Sequence, residues 1–348
     1  MDRKKLDDLR AKYPTDKPDA SHDPEFRKAI EAVFAGTDRR PKPYEGVASF
    51  VGAPLRLDAL QRDDLGGLDV ALLGVPLDLG VTNRPGARFG PRAVRAVERI
   101  GPYHHLHRLS PLTAVQAADV GDVPFRSRYS LDASIEDIEA VFTRIATAGA
   151  TPLAVGGDHS ITFPILKALG AKRPVGLVHI DAHCDTGPPF EGAKFHHGGP
   201  FRNAVLAGAL DPERTIQIGI RGGAEYLWEF SYVSGMTVIH AEEFAQLGVP
   251  EVVKRIREVV GDGPTYISFD IDSLDPAFAP GTGTPEIGGL TTREALELVR
   301  GCAGLNVIGG DVVEVAPQYD ATTNTAQAAA QMLFELLAVV ALARGKRV

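Results

Sequence analysis

The chain has 348 residues, of which 44% are hydrophobic and 24% are charged, a composition that is ordinary for a soluble globular protein. Its formal net charge of −8 offers no basic surface for nucleic acid, and no apolar run is long enough to span a bilayer, so neither partner is expected. The two cysteines, Cys184 and Cys302, cannot build a disulfide framework, and the first ten residues contain no apolar signal sequence, which together predict a cytoplasmic protein.

The first 65 residues differ in character from the rest of the chain. They are polar and rich in proline and charge, with one amphipathic piece from Glu25 to Phe34 and no catalytic signal. We interpret residues 1–65 as an extension that packs on the body or on a neighbouring subunit. From Asp69 onwards the chain alternates between strand, loop and helix patterns, so residues 66–348 are predicted to form a single catalytic domain.

Apolar runs without polar alternation mark strands that are buried on both faces. Strands of this kind are predicted at 69–78, 175–181, 264–270 and 305–311, and further strands at 113–123, 151–155, 214–220 and 236–239. A helix is predicted from Ser134 to Thr147, and the apolar run from Met332 to Ala343 is typical of a buried terminal helix. About eight strands alternating with helices predict an α/β fold with a mostly parallel sheet that is covered on both faces.

Metal-type side chains follow the strand at 175–181. Asp181, His183 and Asp185 are spaced two residues apart, so an extended backbone would place them on one face, whereas Cys184 would point into the core. A surface loop rich in aspartate and histidine could have the same composition. A surface loop is the less favoured explanation, because two other strands are also followed by aspartate or histidine residues.

Asp270 and Asp272 follow the strand at 264–270, and His159 follows the strand at 151–155. Because open α/β sheets place ligands beyond the carboxyl ends of their strands, we expect all these side chains to meet. Four carboxylates and two imidazoles are too many for one catalytic zinc and suit two oxygen-preferring divalent ions. The histidines at 104, 105 and 107 lie in a polar loop far from these motifs and are not predicted as ligands.

Two further groups narrow the chemistry. Glu314 follows the strand at 305–311, and a lone carboxylate there could hold a planar guanidinium through two hydrogen bonds. His196 and His197 lie in the loop after the Asp181 strand, and either imidazole could carry protons near neutral pH. No cluster of arginine or lysine accompanies the metal residues, which argues against a phosphate substrate. Walker-type and GxSxG motifs are absent from the sequence, so nucleotide binding and a serine hydrolase are not supported.

These motifs resemble the signature segments of the ureohydrolases, the arginase and agmatinase family, over roughly residues 45–345. The segments concerned are GGDHS (156–160), DAHCD (181–185), SFDIDSLDPAFAPGTGTPEIGGLT (268–291) and DVVEVAPQYD (311–320). GARFGPRAVR (86–95) and KFHHGGPFRNAV (194–205) resemble the agmatinase branch in particular. The resemblance implies a three-layer α/β/α sandwich, a small cationic guanidino substrate, and a homo-oligomer that is a trimer or a hexamer.

The resemblance also implies a role for each site residue. The first ion would be held by His159, Asp181, Asp185 and Asp270. The second would be held by Asp181, His183, Asp270 and Asp272, so that Asp181 and Asp270 bridge the pair. Both ions are expected to be Mn²⁺, with Ni²⁺ as the alternative. Asp185 would orient the attacking water, Glu314 would hold the guanidinium, and His197 would move a proton to the leaving nitrogen as urea and an amine form.

The substrate is predicted to be agmatine, which would give putrescine and urea. Guanidinobutyrate, guanidinopropionate, a free or alkylated guanidine and a biguanide are the alternatives. Arginase activity is less favoured, because the loop at 186–197 lacks the Asn and Ser residues that arginases use for an α-amino acid. Glu191 could meet an ammonium and Lys194 a carboxylate, or both could be solvated loop charges. Pro188, Pro189 and Phe190 could form a tight apolar mouth.

Two other classes of function have distinct signatures. A single-metal deacylase shares this broad fold but would bind one zinc and would lack the second bridging carboxylate. A non-catalytic partner subunit would be expected to have lost ligands, whereas all six are present in this chain. Both alternatives are therefore weaker than a ureohydrolase with two metal ions.

Overall fold

The computed structural model describes residues 2–13, 44–62, 64–97 and 100–345, together with positions 23, 24, 27 and 31. The predicted amphipathic piece from Glu25 to Phe34 lies for the most part outside the described residues. Helix α1, Arg3–Lys12, has no buried residue. Within the predicted extension, Phe50 is fully buried and its N–H donates to Oδ2 of Asp119 at 3.0 Å. The division of the chain at residue 65 stays a prediction.

Eight parallel strands form one sheet in the order β2-β1-β3-β8-β7-β4-β5-β6. In chain order the strands are Val70–Val75 (β1), Ala117–Asp122 (β2), Thr151–Gly156 (β3), Val175–Ile180 (β4), Leu210–Ile220 (β5), Thr237–His240 (β6), Thr265–Asp270 (β7) and Val307–Val313 (β8). Every predicted strand is present. The predictions of about eight strands and of a parallel sheet are therefore confirmed.

Helices cover both faces of the sheet. Within the described residues they are Gly90–Arg95 (α2), Pro111–Ala114 (α3), Leu131–Thr147 (α4), Thr162–Leu169 (α5), Pro200–Leu206 (α6), Glu229–Ser234 (α7), Ala241–Val260 (α8), Thr292–Gly301 (α9) and Asn324–Gly345 (α10). Short 3-10 helices span Phe50–Gly52, Ala59–Gln61, Ala87–Phe89, His159–Ile161, Glu225–Leu227, Ile271–Ser273 and Pro317–Tyr319. Helix α8 is interrupted at Gly248, where φ is 71°.

Alternate strand residues build two separate cores. Val178 and Ile180 of β4 join the core shared with α8, α9 and α10, whereas Val175 and Leu177 join the core shared with α4, α5 and α6. This division follows from the strand geometry, because successive side chains point to opposite faces of the sheet. The molecule is thus the expected three-layer α/β/α sandwich.

Two helices begin earlier than their apolar patterns indicate. Helix α4 starts at Leu131 rather than Ser134, because the Ser130 hydroxyl accepts the N–H of Ala133 and caps the helix. Helix α10 has 22 residues and, by length and composition alone, could cross a membrane, but 83% of its most apolar stretch is buried within the protein. It therefore serves as a core helix of the sandwich.

The strand register brings the predicted site residues to one level. Ile180 of β4 pairs with Phe269 of β7, and Asp270 of β7 pairs with Val313 of β8. Asp181 and Glu314 each follow one of these paired residues directly. The carboxyl ends of the adjacent strands β8, β7 and β4 therefore present Glu314, Asp270 and Asp181 side by side, where parallel sheets usually bind ligands.

Candidate metal centre and active site

The first group of ligand atoms surrounds Nδ1 of His159, a fully buried side chain. Three carboxylate oxygens face this nitrogen, from Asp185 at 2.9 Å and from Asp181 and Asp270 at 3.2 Å each. His159 lies just after β3, Asp181 and Asp185 follow β4, and Asp270 ends β7. The fold thus brings together the four residues that were predicted to hold the first ion.

The second group lies beside the first and shares Asp181 with it. Nδ1 of His183 is 3.2 Å from Oδ2 of Asp272 and 3.5 Å from Oδ1 of Asp181. Asp181 therefore turns one oxygen to each group, as a bridging carboxylate would. Asp270 is also adjacent to both groups, because its Oδ2 faces His159 while its Oδ1 accepts the N–H of Asp272 at 2.8 Å.

The chemistry of the first group fits a cation better than a proton. Nε2–H of His159 donates to Oγ of Ser268 at 2.8 Å, and that hydroxyl donates in turn to Asp311 at 2.7 Å. Nδ1 is then left as a lone pair, and it makes no hydrogen bond although it is buried. A buried lone pair facing three carboxylates is the arrangement of a metal ligand whose second nitrogen is fixed by a hydrogen bond.

Charge balance supports the same conclusion. Four carboxylates and two imidazoles meet in a region where Asp181, Asp270 and Asp272 are at most 2% exposed. Burial, together with the charges of Asp272 and Asp181, raises the pKa of Asp270 well above its usual value. Neighbouring carboxylates that suppress each other's ionisation need positive charge between them, and divalent ions supply it. The residues present therefore fit a pair of metal ions.

His179 is a residue of the candidate site that was not predicted from the sequence. It lies in β4, and its Nε2–H donates to Oδ2 of Asp181 at 2.7 Å, while Nε2–H of Gln217 donates to its Nδ1 at 3.0 Å. One of its ring nitrogens also lies within 4.8 Å of a ligand atom from each of His159 and Asp181. The available signal was a histidine two residues before Asp181 on the same strand face, inside a run that was treated as purely apolar.

Backbone geometry aims two of the predicted residues at the site. Asp185 and Glu314 have φ values of 50° and 64°, in the left-handed region that non-glycine residues seldom adopt. The N–H of Glu314 is held by the carbonyl of Gly157 at 2.9 Å. Gly157 itself cannot carry a side chain, because a Cβ there would lie 2.2 Å from the carbonyl oxygen of Leu77. The chain is therefore packed backbone to backbone around these turns.

His197 lies between Glu314 and a loop that follows β1. Its Nδ1–H donates to Oε1 of Glu314 at 2.9 Å, and Thr82 approaches Nε2 with its backbone N–H at 3.1 Å and its hydroxyl at 2.7 Å. Although burial opposes protonation, the charge of Glu314 raises the pKa of His197 to about 9. Thr82 was not predicted, because nothing in its own sequence context relates it to a residue 115 positions away.

A cavity of about 520 Å³ opens over both groups. Its polar end is lined by Thr82, His183, Asp185, His197, Asp270, Asp272, Thr284 and Glu314. Pro188, Phe190, Tyr226, Leu227, Trp228 and Phe230 supply apolar walls, with Cys184, His196, Arg202 and Glu229 also in the lining. The cavity thus joins a charged base to a largely apolar upper part, as small-molecule sites commonly do.

Some predicted contacts are not part of this lining. Glu191, Lys194 and Pro189 are exposed and lie outside the cavity wall, and Nζ of Lys194 instead lies 4.9 Å from the centre of the Phe195 ring. The structure therefore gives no support to substrate contacts from Glu191 and Lys194, which stay predictions. Pro188 and Phe190 do line the cavity, so two of the three residues proposed for an apolar mouth are in place.

The side chains that were predicted not to bind metal are also accounted for. Cys184 is 2% exposed, and burial raises the pKa of its thiol to about 12, as expected for a core cysteine. His104 contacts Phe334 in one core, whereas His179 contacts Phe201 in the other, and Nε2 of His104 lies 2.7 Å from Oε2 of Glu335. Nε2 of His196, the second histidine considered as a proton carrier, donates to the carbonyl of Pro188 at 2.8 Å, and its role in proton transfer stays a prediction.

Comparisons with known proteins agree with this geometry. The sequence profile of the Arginase family matches residues 68–339. The chain is 48% identical over 307 residues to a guanidinopropionase from Pseudomonas aeruginosa, covering 86% of this chain and 96% of that protein. It is 48% identical over 308 residues to the mitochondrial agmatinase of Gallus gallus, covering 86% and 89%. The structure of proclavaminate amidino hydrolase from Streptomyces clavuligerus gives a TM-score of 0.82 at 37% identity, covering 87% of this chain and 100% of that one.

The profile match extends over the whole candidate centre. Both His–Asp groups, His197 and Glu314 lie inside residues 68–339, and the structural similarity extends over the same sandwich. Family, fold and the two potential metal groups therefore agree. The chain belongs to the arginase family and is a metal-dependent ureohydrolase that acts on a guanidino compound.

Proposed function

We propose that the chain hydrolyses a short linear guanidino compound to urea and an amine, using two divalent ions. His159, Asp181, Asp185 and Asp270 would hold one ion, and Asp181, His183, Asp270 and Asp272 the other. Mn²⁺ is the first candidate because most ligands are oxygen atoms, and Ni²⁺ is the alternative because two are imidazoles. The observation that carries the proposal is Asp181, which turns one oxygen towards His159 and the other towards His183.

Glu314 is suited to hold the guanidinium. Its Oε1 accepts hydrogen bonds from the N–H of His159 and from His197, whereas its buried Oε2 has no partner. A guanidinium entering the cavity would donate to this oxygen, because carboxylates and guanidinium groups form strong charge-assisted hydrogen bonds. Divalent ions, if held by the six ligand residues, would supply the chemistry of a water activated to hydroxide at neutral pH. Glu314 would then keep the guanidino carbon in place for attack.

His197 is suited to carry the proton to the leaving nitrogen. With a pKa of about 9 it holds a proton at neutral pH, and Glu314 keeps that charge stable on the buried ring. Thr82 offers Nε2 both a hydroxyl and an N–H, so this nitrogen has a partner whether it carries a proton or a lone pair. The imidazole can therefore release and regain a proton without losing its position, which is what a general acid requires.

Agmatine and the guanidino acids are the first substrate candidates, and a free or alkylated guanidine and a biguanide are the alternatives. The apolar walls around Trp228 and Phe230 fit a short alkyl chain, which all these compounds share. The similar proteins named above include both an agmatinase and a guanidinopropionase, at equal identity to this chain. The predicted homo-oligomer, a trimer or a hexamer, and the predicted cytoplasmic location stay predictions.

Urea release tests this proposal. The chain is stripped with a chelator, reloaded with Mn²⁺ or Ni²⁺ separately, and assayed on agmatine, 4-guanidinobutyrate, 3-guanidinopropionate and guanidine. We expect urea from at least one of them with reloaded protein only, and His197→Asn should lower the turnover number by roughly 10²–10⁴. Failure of the reloaded chain on every compound, or unchanged turnover in His197→Asn, would contradict the proposal.

A further inference from the structure

The cavity wall contains an arginine side chain, that of Arg202. It lies in the first turn of α6, is partly buried, and its guanidinium carbon sits 5.0 Å from the centre of the Phe230 ring. Among the residues that the structure describes, no carboxylate lies within ion-pair distance of it and no hydrogen bond is made by its side chain. Among the described residues that line the cavity, Arg202 is the only arginine or lysine, and most of the wall around it is apolar.

Arg202 is next in the chain to a residue that packs against the candidate metal centre. Its neighbour Phe201 packs against the rings of His179 and His159, with centroids 4.2 and 5.2 Å apart. Arg202 thus follows directly the residue that backs the metal centre, while its side chain turns to Phe230 in the apolar part. A ligand whose guanidinium meets Glu314 at the base could therefore extend along this wall.

A partly buried guanidinium without a counter-charge gains free energy when an anion binds to it. Arginine also matches a carboxylate with two parallel hydrogen bonds, and a ring under its face leaves the N–H edge free for them. The acidic residue on the same wall, Glu229, is exposed at the start of α7 and is solvated. Water already stabilises that carboxylate, so it has less to gain from a ligand than Arg202 has.

We infer that Arg202 binds a carboxylate at the far end of the substrate chain, so that the preferred substrate is a guanidino acid and not agmatine. This inference rests on the proposed function, since it concerns the tail of the same substrate. The ammonium of agmatine would meet a like charge on this wall, which disfavours it, whereas a neutral alkyl tail would bury apolar surface but leave Arg202 unpaired.

The test compares three guanidino compounds whose alkyl chains are similar and whose tails differ in charge. They are 4-guanidinobutyrate, agmatine and n-butylguanidine, whose tail is uncharged, and each is assayed for kcat/KM by urea release with the reloaded enzyme. We expect the acid to be favoured over n-butylguanidine by roughly 10- to 100-fold, the size of a charge-assisted contact. Arg202→Gln should remove most of that ratio, mainly through KM, and Arg202→Lys should keep part of it.

The ratio between two substrates measured on one preparation does not depend on the fraction of protein that is folded. A variant that folds poorly therefore still reports on selectivity. Arg173→Gln is the matched control for net charge, because Arg173 is exposed just before β4, at the opposite end of the sheet. It should leave the ratio at the wild-type value.

Each outcome has a separate meaning. Preference for the acid that falls in Arg202→Gln but not in Arg173→Gln supports the inference. Preference for agmatine or n-butylguanidine, or an unchanged ratio in Arg202→Gln, overturns it while urea release still supports the proposed function. Absence of urea from all compounds with either metal overturns the proposed function, and the inference then fails with it.

Discussion

Two buried histidines in this molecule look alike locally and serve different purposes. Nε2 of His179 is 2.7 Å from a carboxylate oxygen of Asp181, and Nε2 of His104 is 2.7 Å from a carboxylate oxygen of Glu335. All four side chains are at most 3% exposed. The difference lies in the charges around each pair.

The charge around Glu335 is balanced by the protein. Arg300 donates to both of its oxygens at 3.0 and 2.7 Å, and Gln331 donates at 2.9 Å. The charge around Asp181 is not balanced, because three further carboxylates crowd the same space. A buried carboxylate with a full set of donors indicates structure, whereas a group of carboxylates short of donors indicates an ion.

Of the changes that test this comparison, replacing Glu335 is expected to have the largest effect, which is on the free energy of unfolding. Glu335→Gln leaves Arg300 partly buried without its counter-charge, so it should lower the free energy of unfolding by on the order of 3 kcal/mol. Chemical denaturation at pH 7 measures this change. Metal content should stay at the wild-type level, since Glu335 is remote from the cavity. A variant as stable as the wild type would show that the cluster of His104, Arg300, Gln331 and Glu335 contributes nothing to stability.

The same cluster predicts that the free energy of unfolding depends on pH. Although burial opposes ionisation, hydrogen bonds from His104 and Arg300 lower the pKa of Glu335 from its ordinary 4.5 to about 2. Because the folded-state pKa is the lower one, the stabilisation is fully present above pH 4.5 and is lost as pH falls towards 2. The stability difference between wild type and Glu335→Gln should therefore shrink over that window. A difference that stays constant from pH 7 to 3 would contradict this assignment.

A smaller effect is expected when the two histidines are replaced in the same way. His179→Leu removes the donor that orients Asp181 and should weaken metal affinity by roughly 10- to 100-fold, as losses around metal ligands usually do. His104→Leu removes a similar hydrogen bond and should lower stability but leave metal affinity unchanged. Titration of both stripped variants with Mn²⁺ measures this, and equal affinities would refute the distinction.

The sequence was sufficient for the parts of the fold that depend on local pattern. The eight strands were predicted because apolar residues dominate each run, and the six candidate ligands because they lie at or shortly after strand ends. His159, Asp181 and Asp270 meet simply because parallel strands end at one edge. The positions of such residues can be predicted without knowing the conformations of the loops.

Other residues could not be predicted because tertiary structure alone brings them together. Thr82 meets His197 across 115 positions, and His104 meets Glu335 across 231. Arg202 follows the motif residue His197 closely, but only the packing of α6 against Phe230 turns it into the cavity. Glu191 was a candidate substrate contact because it is a charged residue in the loop at 186–197, but that loop places it outside the cavity wall.

Counting metal ions tests the two-ion centre most directly. Elemental analysis of the chain loaded with Mn²⁺, or with Ni²⁺, should give two ions for the wild type and about one for Asp272→Ala, which removes a carboxylate from the His183 group only. A wild type that binds a single ion, or an Asp272→Ala variant that retains both, would contradict a centre in which Asp181 bridges two cations.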